Sequence, residues 1–130
     1  MILLDTNYLI MALVAGTPEE ARVVSWASSK EPMITAAICW YEFLCGPVTA
    51  PQISVIYSLI ERVVPFGERE AAEASRLFNA VGRMRKLRID SMIGGTAIAT
   101  GARMATNNEE DYSRFVPAGL QLAAGVAARR

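Results

Sequence analysis

The chain opens MILLDTN, four apolar residues that run straight into Asp5, Thr6 and Asn7. A short apolar run of this kind reads as a buried strand ending in polar side chains. An open α/β sheet keeps its ligands beyond the carboxyl ends of its strands, so Asp5 stands where chemistry collects. Asp5 or Thr6 reads equally well as the N-cap of a helix that starts near Tyr8. The partners that the later chain supplies decide between these readings.

The remaining sequence alternates short β-branched or apolar runs with helical stretches. Residues 8–15 form a short apolar helix closed by Gly16. Thr17-Pro18-Glu19-Glu20 then starts a second helix, with threonine as cap, proline in the first turn and acids at the positive end of the dipole. Residues 32–35 fit a second central strand, and residues 36–45, AAICWYEFLC, fit a helix stopped by Gly46-Pro47, with a loop to Pro51. Residues 52–60 are helical by pattern. Residues 62–66 read as a third short strand, which Pro65 confines to an edge or an end. Residues 68–87 predict the longest helix, with Ala71, Ala74, Leu77, Phe78 and Val81 at helical spacing. A small-residue helix over residues 91–100, a strand over 103–106, a polar loop over 107–111 and an edge strand over 120–123 complete the order. This alternation predicts a parallel α/β sheet with helices on both faces. Neither repeats nor linkers interrupt it, so residues 1–124 are expected to form one domain, with a flexible tail over residues 125–130.

With 130 residues, 52% of them hydrophobic, a core forms without disulfides or structural metals. Cys39 and Cys45 match no metal-ligand spacing and read as small buried hydrophobes of a reducing compartment. There is no basic leader, and no apolar run reaches the ~18 residues of a membrane span, so a soluble cytoplasmic protein is expected, with no membrane partner. Histidine is absent, which excludes His-based acid-base catalysis and His-ligated zinc or iron. Thirteen bases balance thirteen acids, but only three of the acids are aspartates: Asp5, Asp90 and Asp111. If these three and one glutamate occupy a site, nine acids face thirteen bases elsewhere, a surplus of four positive charges that suits a polyanion.

Glu42 is the lone charge in its ten-residue apolar segment, with Ile38, Cys39 and Cys45 one turn away. A partly buried carboxylate is expected there, in need of a cation, a metal or a raised pKa; a glutamate at the helix edge reaching water is the plainer reading. Asp90 immediately precedes a helix, where it could serve only as N-cap, and Asp111 could be only a turn residue. Arg83, Arg85, Lys86 and Arg88 form a basic run, either a solvated helix end or a patch that contacts phosphates. Strand-end placement nonetheless brings Asp5 and Asp111 to one edge of the sheet, and Asp90 and Glu42 can join them. Four carboxylates in close range require cations, and Mg²⁺ or Mn²⁺ meets that need.

LLDTN, the glutamate-bearing helix at 36–46, RIDSMIGGTAIATG at 88–101 and ATNNEEDY at 105–112 together resemble the PIN domain, particularly the VapC-type toxins of prokaryotic toxin-antitoxin pairs. The resemblance spans nearly the whole chain. It implies a three-layer α/β/α sandwich with a mostly parallel sheet of four to five strands. It also implies a Mg²⁺- or Mn²⁺-dependent endoribonuclease restrained by a VapB-type antitoxin, which typically inserts a segment into the active-site groove, and commonly a homodimer. Carried over by position, Asp5, Glu42, Asp90 and Asp111 are the acidic metal-site residues, and Thr6, Thr106 and Asn108 the polar groups near them. Gly94-Gly95 replace the usual alanines, and Tyr112 a common phenylalanine; neither change removes a ligand.

The expected reaction is hydrolysis of an RNA phosphodiester by a metal-activated water, with basic residues, Arg83, Arg85, Lys86 or Arg88 among them, holding the flanking backbone. A PIN-like binding module without turnover is the alternative, and the neutral net charge favours it. An aspartate-nucleophile phosphatase begins with a similar strand but wants a second aspartate where this chain has Asn7.

Overall fold

The first strand, Ile2–Leu4 (β1), is buried along its whole length and pairs in parallel on both sides. In this computed structural model, which describes residues 1–123, one neighbour is Met33–Ala36 (β2) and the other Arg103–Ala105 (β4). Leu3 lies level with Ile34 of β2 and Met104 of β4. Val63–Val64 (β3) pairs with β2, so the order is β3-β2-β1-β4, all parallel. The two-residue β3 lies at an edge, as Pro65 requires.

Helices Thr6–Met11 (α1) and Pro18–Ser28 (α2) connect β1 to β2, and Ala37–Cys45 (α3) and Ala50–Leu59 (α4) connect β2 to β3. Glu68–Ala80 (α5) and Arg88–Thr100 (α6) carry the chain back past β1 to β4, and Glu109–Tyr112 (α7) follows. The chain thus winds outward from β1 in one direction and then reverses. Right-handed connections of that order place α1 to α4 on one face and α5 and α6 on the other, giving three layers. The reversal also opens a crevice between β1 and β4 at their carboxyl ends. Beneath it, Ile2, Leu3, Leu4, Ile34 and Met104 of the sheet join Phe43, Leu77, Ile93 and Phe115 in one apolar core.

Local chemistry accounts for most boundaries. Thr17 caps α2 by accepting from Glu20 N, as its sequence predicts. Thr49 caps α4 in a reciprocal box with Gln52, so Pro51 belongs to the first helical turn and not to the preceding loop, because its missing N–H has no helical partner to lose there.

The expected helix over residues 68–87 is broken. It ends at Ala80; Gly82 and Arg83 then adopt left-handed φ values of 76° and 60°, and a 3-10 turn, Arg85–Leu87, leads directly into α6. Arg83, Arg85 and Lys86 therefore lie in a connection and Arg88 opens α6, so the run is not the carboxyl end of a helix.

A Cβ added at Gly95 would lie 2.5 Å from the Ala74 backbone nitrogen, so α6 meets α5, and not the sheet, at a spacing only glycine permits. The polar stretch after β4 contains the short helix α7. The expected strand at 120–123 contributes one bridge, Leu122 to Met104. The tail expected over residues 125–130 and the domain limit at 124 lie outside the described residues. No helix among the described residues is long and apolar enough to cross a membrane.

Candidate acidic active site

Asp5 stands at the carboxyl end of β1, beside the crevice, and its carboxylate is held from three directions. Oδ1 accepts from Thr6 N at 2.8 Å and from Cys39 Sγ at 3.6 Å, and Oδ2 accepts from Thr106 Oγ1 at 2.8 Å. Its backbone N–H donates to Ala105 O, which ties the ends of β1 and β4 together. The two readings of Asp5 therefore hold at once: it caps α1 and it faces the crevice. The residue is only 7% exposed. Burial pushes its carboxyl above the ordinary range, hydrogen bonds from Thr106, Thr6 and Cys39 oppose this, and the nearby Glu42 charge adds to it.

Of the two readings of Glu42, on α3, the plainer one holds. The residue is exposed, because α3 turns Cys39 and Phe43 to the core and leaves Tyr41, Glu42, Leu44 and Cys45 outward. Its carboxylate is nevertheless fixed, with Thr6 Oγ1 donating to Oε1 at 2.6 Å. Cys45 is likewise exposed and not buried as expected; Cys39 is buried. Asp90 is not an N-cap: α6 begins two residues earlier, which places Asp90 in its first turn, half-buried. There Tyr112 Oη donates to Asp90 Oδ1 at 3.3 Å. Burial raises the Asp90 carboxyl, the tyrosine hydrogen bond opposes it, and the charges of Asp5, Asp111 and Glu42 raise it further. The four carboxylates thus lie within one another's field.

Asp111 lies on α7, a short helix within the stretch expected to be a loop. Asn108 links it to Asp5: Asn108 Nδ2 donates to Asp111 Oδ2 at 3.3 Å, and Asn108 N donates at 2.9 Å to the Thr106 hydroxyl that holds Asp5. Thr6, Thr106 and Asn108 are the polar struts between the acids. Sequence reasoning missed Asn107, whose side chain donates to Glu19 at 2.8 Å and ties this turn to the start of α2.

The four bases diverge. Arg83 and Arg88 both lie over the Phe78 ring, at 5.6 and 5.2 Å from its centroid. Lys86 alone among them is paired with a member of the acid set, with Nζ 3.5 Å from Asp111 Oδ1. Arg114, which lies outside any basic run and was not anticipated, reaches the same oxygen at 4.0 Å.

The donors on offer for a cation are carboxylate, hydroxyl and amide oxygens, a hard set. The one nearby thiol, Cys39, is buried and held protonated by burial and by Asp5. Among the described residues no three acidic or thiol side chains converge into a ready-made cage. Such a donor set suits an ion of the Mg²⁺ kind, which binds through one or two carboxylates and keeps several waters.

The sequence matches the PIN domain family over residues 2–115. No curated protein matches it. Among solved structures, FitAcB from Neisseria gonorrhoeae is 25% identical, with a TM-score of 0.68 over 95% of this chain and 97% of that one. VapBC2 from Rickettsia felis, bound to a DNA fragment from its promoter, is 19% identical with a TM-score of 0.75, covering 95% and 98% of the two chains. DNA-bound VapBC from Salmonella typhimurium is 22% identical with a TM-score of 0.69, covering 94% and 96%.

Proposed function

Because the chain belongs to the PIN domain family, we propose that it is a metal-dependent endoribonuclease, the toxin of a toxin-antitoxin pair. The observation that carries this reading is that four carboxylates, from the end of β1 and from α3, α6 and α7, lie within one another's field beside the crevice where strand order reverses. Lys86 and Arg114 both approach Asp111, and among the described residues no cationic side chain is paired with Asp5, Glu42 or Asp90, a deficit that a divalent ion would meet.

Asp5, Glu42, Asp90 and Asp111 would hold Mg²⁺ or Mn²⁺, directly or through water. When bound, such an ion lowers the pKa of a coordinated water and stabilises negative charge on a phosphodiester. The chain's own residues do the rest. Thr106, Thr6 N and Cys39 keep the Asp5 carboxylate in one orientation, and Tyr112 does the same for Asp90. Glu42 is the acid best placed for proton traffic. It reaches solvent, and Thr6 fixes Oε1, which leaves Oε2 free to accept a proton from an attacking water.

The same reading supplies a VapB-type antitoxin and a second copy of the chain as partners. A groove of about 170 Å³ lined by Ile10, Leu13, Val14, Pro47 and Val48 is open to an apolar segment. Tyr41, Leu44, Val55 and Tyr57 leave α3 and α4 with apolar side chains in solvent.

Expression of the protein alone is the test in cells. We expect growth arrest with loss of intact RNA, relief by co-expression of the antitoxin, and neither effect from Glu42→Gln. Normal growth with intact RNA, at expression levels matching the variant, would instead favour the binding module that the neutral net charge suggests.

A further inference from the structure

Among the described residues, Asp111 is the member of the acid set that cations meet. Lys86 Nζ and Arg114 Nε approach the same oxygen, Oδ1, at 3.5 and 4.0 Å, while Asn108 takes Oδ2. Lys86 comes from the 3-10 turn before α6. Arg114 comes from the segment Ser113–Ala118, immediately after α7. The two cations therefore stand at one side of the crevice, brought there by different elements.

Neither cation is consumed by its contact with Asp111. The side chains remain 58% and 41% exposed, and ion pairs this open to water hold weakly. Two of the neighbouring bases are engaged elsewhere: Arg83 donates to Asn79 at 2.7 Å and lies over Phe78, and Arg88 lies over the same ring. With a divalent ion held by the acids, the attraction of Lys86 and Arg114 to Oδ1 would be reduced, and both exposed cations would be available beside Asp111. A phosphodiester brings one negative charge and two unesterified oxygens to that place. Lysine meets it as a mobile point charge, and arginine through the fork of its guanidinium.

We propose that Lys86 and Arg114 are the phosphate-binding pair of this protein, holding the RNA backbone beside Asp111, and that Arg83 and Arg88 take no part in this contact. The inference rests on the ribonuclease reading above and names the residues by which that site would hold its substrate.

The test is equilibrium binding of a short single-stranded RNA to the purified protein in Ca²⁺, with the RNA checked intact, between about 50 and 200 mM salt. We expect Lys86→Met and Arg114→Met each to weaken binding and to flatten the slope of log affinity against log salt by about 0.7. Lys86→Arg should keep the slope, and Arg83→Met and Arg88→Met should leave it unchanged. All the positions are at the surface, so melting temperatures should match the parent. A parental slope in both methionine variants, while the parent protein cuts RNA, overturns the phosphate pair and leaves the nuclease standing. Equal flattening by Arg83→Met and Arg88→Met overturns it too, in favour of a diffuse basic surface. A parent protein that neither binds nor cuts RNA overturns the ribonuclease reading itself.

Discussion

Asp5 and Asp90 are carboxyls that the fold holds protonated to a higher pH than water would. For both, burial is the largest cause, and the charges of neighbouring acids add to it. A raised carboxyl pKa means that the folded state binds more protons than the unfolded one above the ordinary value of 3.8. Stability from these groups is therefore full below that value and is lost as pH rises through their folded pKa values. We expect Asp90→Asn to melt higher than the parent protein at pH 7 in EDTA, with the gap closing towards pH 4. A variant that melts lower at pH 7, where the repulsion is fully developed, would contradict the mutual repulsion of the acids. The three aspartates were legible as site candidates because Asp5 and Asp90 adjoin apolar runs and Asp111 lies in a polar turn after a strand, in a parallel α/β order. For Glu42 the choice between burial and exposure was not, because an apolar segment does not reveal which of its faces the core takes. Arg114 was invisible for a different reason: a single arginine has no sequence signal until the fold sets it beside Asp111.

Helices α5 and α6 approach closely where Gly95 sits against the Ala74 backbone. A methyl group there has no flexible side chain to displace, so one of the two helices must move. Gly95→Ala should lower stability by about 1–3 kcal/mol, read by urea denaturation with an unchanged m-value. No loss would mean that the two helices have room to separate. The sequence placed both helices but not the break between them. The apolar spacing from Leu77 to Val81 resumes at Met84 and Leu87, and this continuity hides the stop. Gly82 was the available signal, and its left-handed φ shows why glycine stands there. The short α7 escaped notice because four residues cannot establish a period, and its run of acids reads as a loop.

The architecture of the molecule was the most legible property, because it follows from repetition. Short buried runs separated by helices admit few arrangements other than a parallel sheet covered on both faces. The reversal of strand order at β1 was not written in any single residue, yet it is what makes Asp5 and Thr106 neighbours across 101 positions of chain. The acids come from four separate elements, so the site exists only when the whole sheet is assembled. Its central claim is chemical: that these acids make a metal-dependent ribonuclease. The most direct measurement is cleavage of total RNA by the purified protein in Mg²⁺ or Mn²⁺, compared with EDTA and with Asp5→Asn. Discrete fragments, abolished by EDTA and reduced by more than about 100-fold in the variant, are the expected result. Intact RNA from folded, inhibitor-free protein, or cleavage that survives both EDTA and Asp5→Asn, would contradict it.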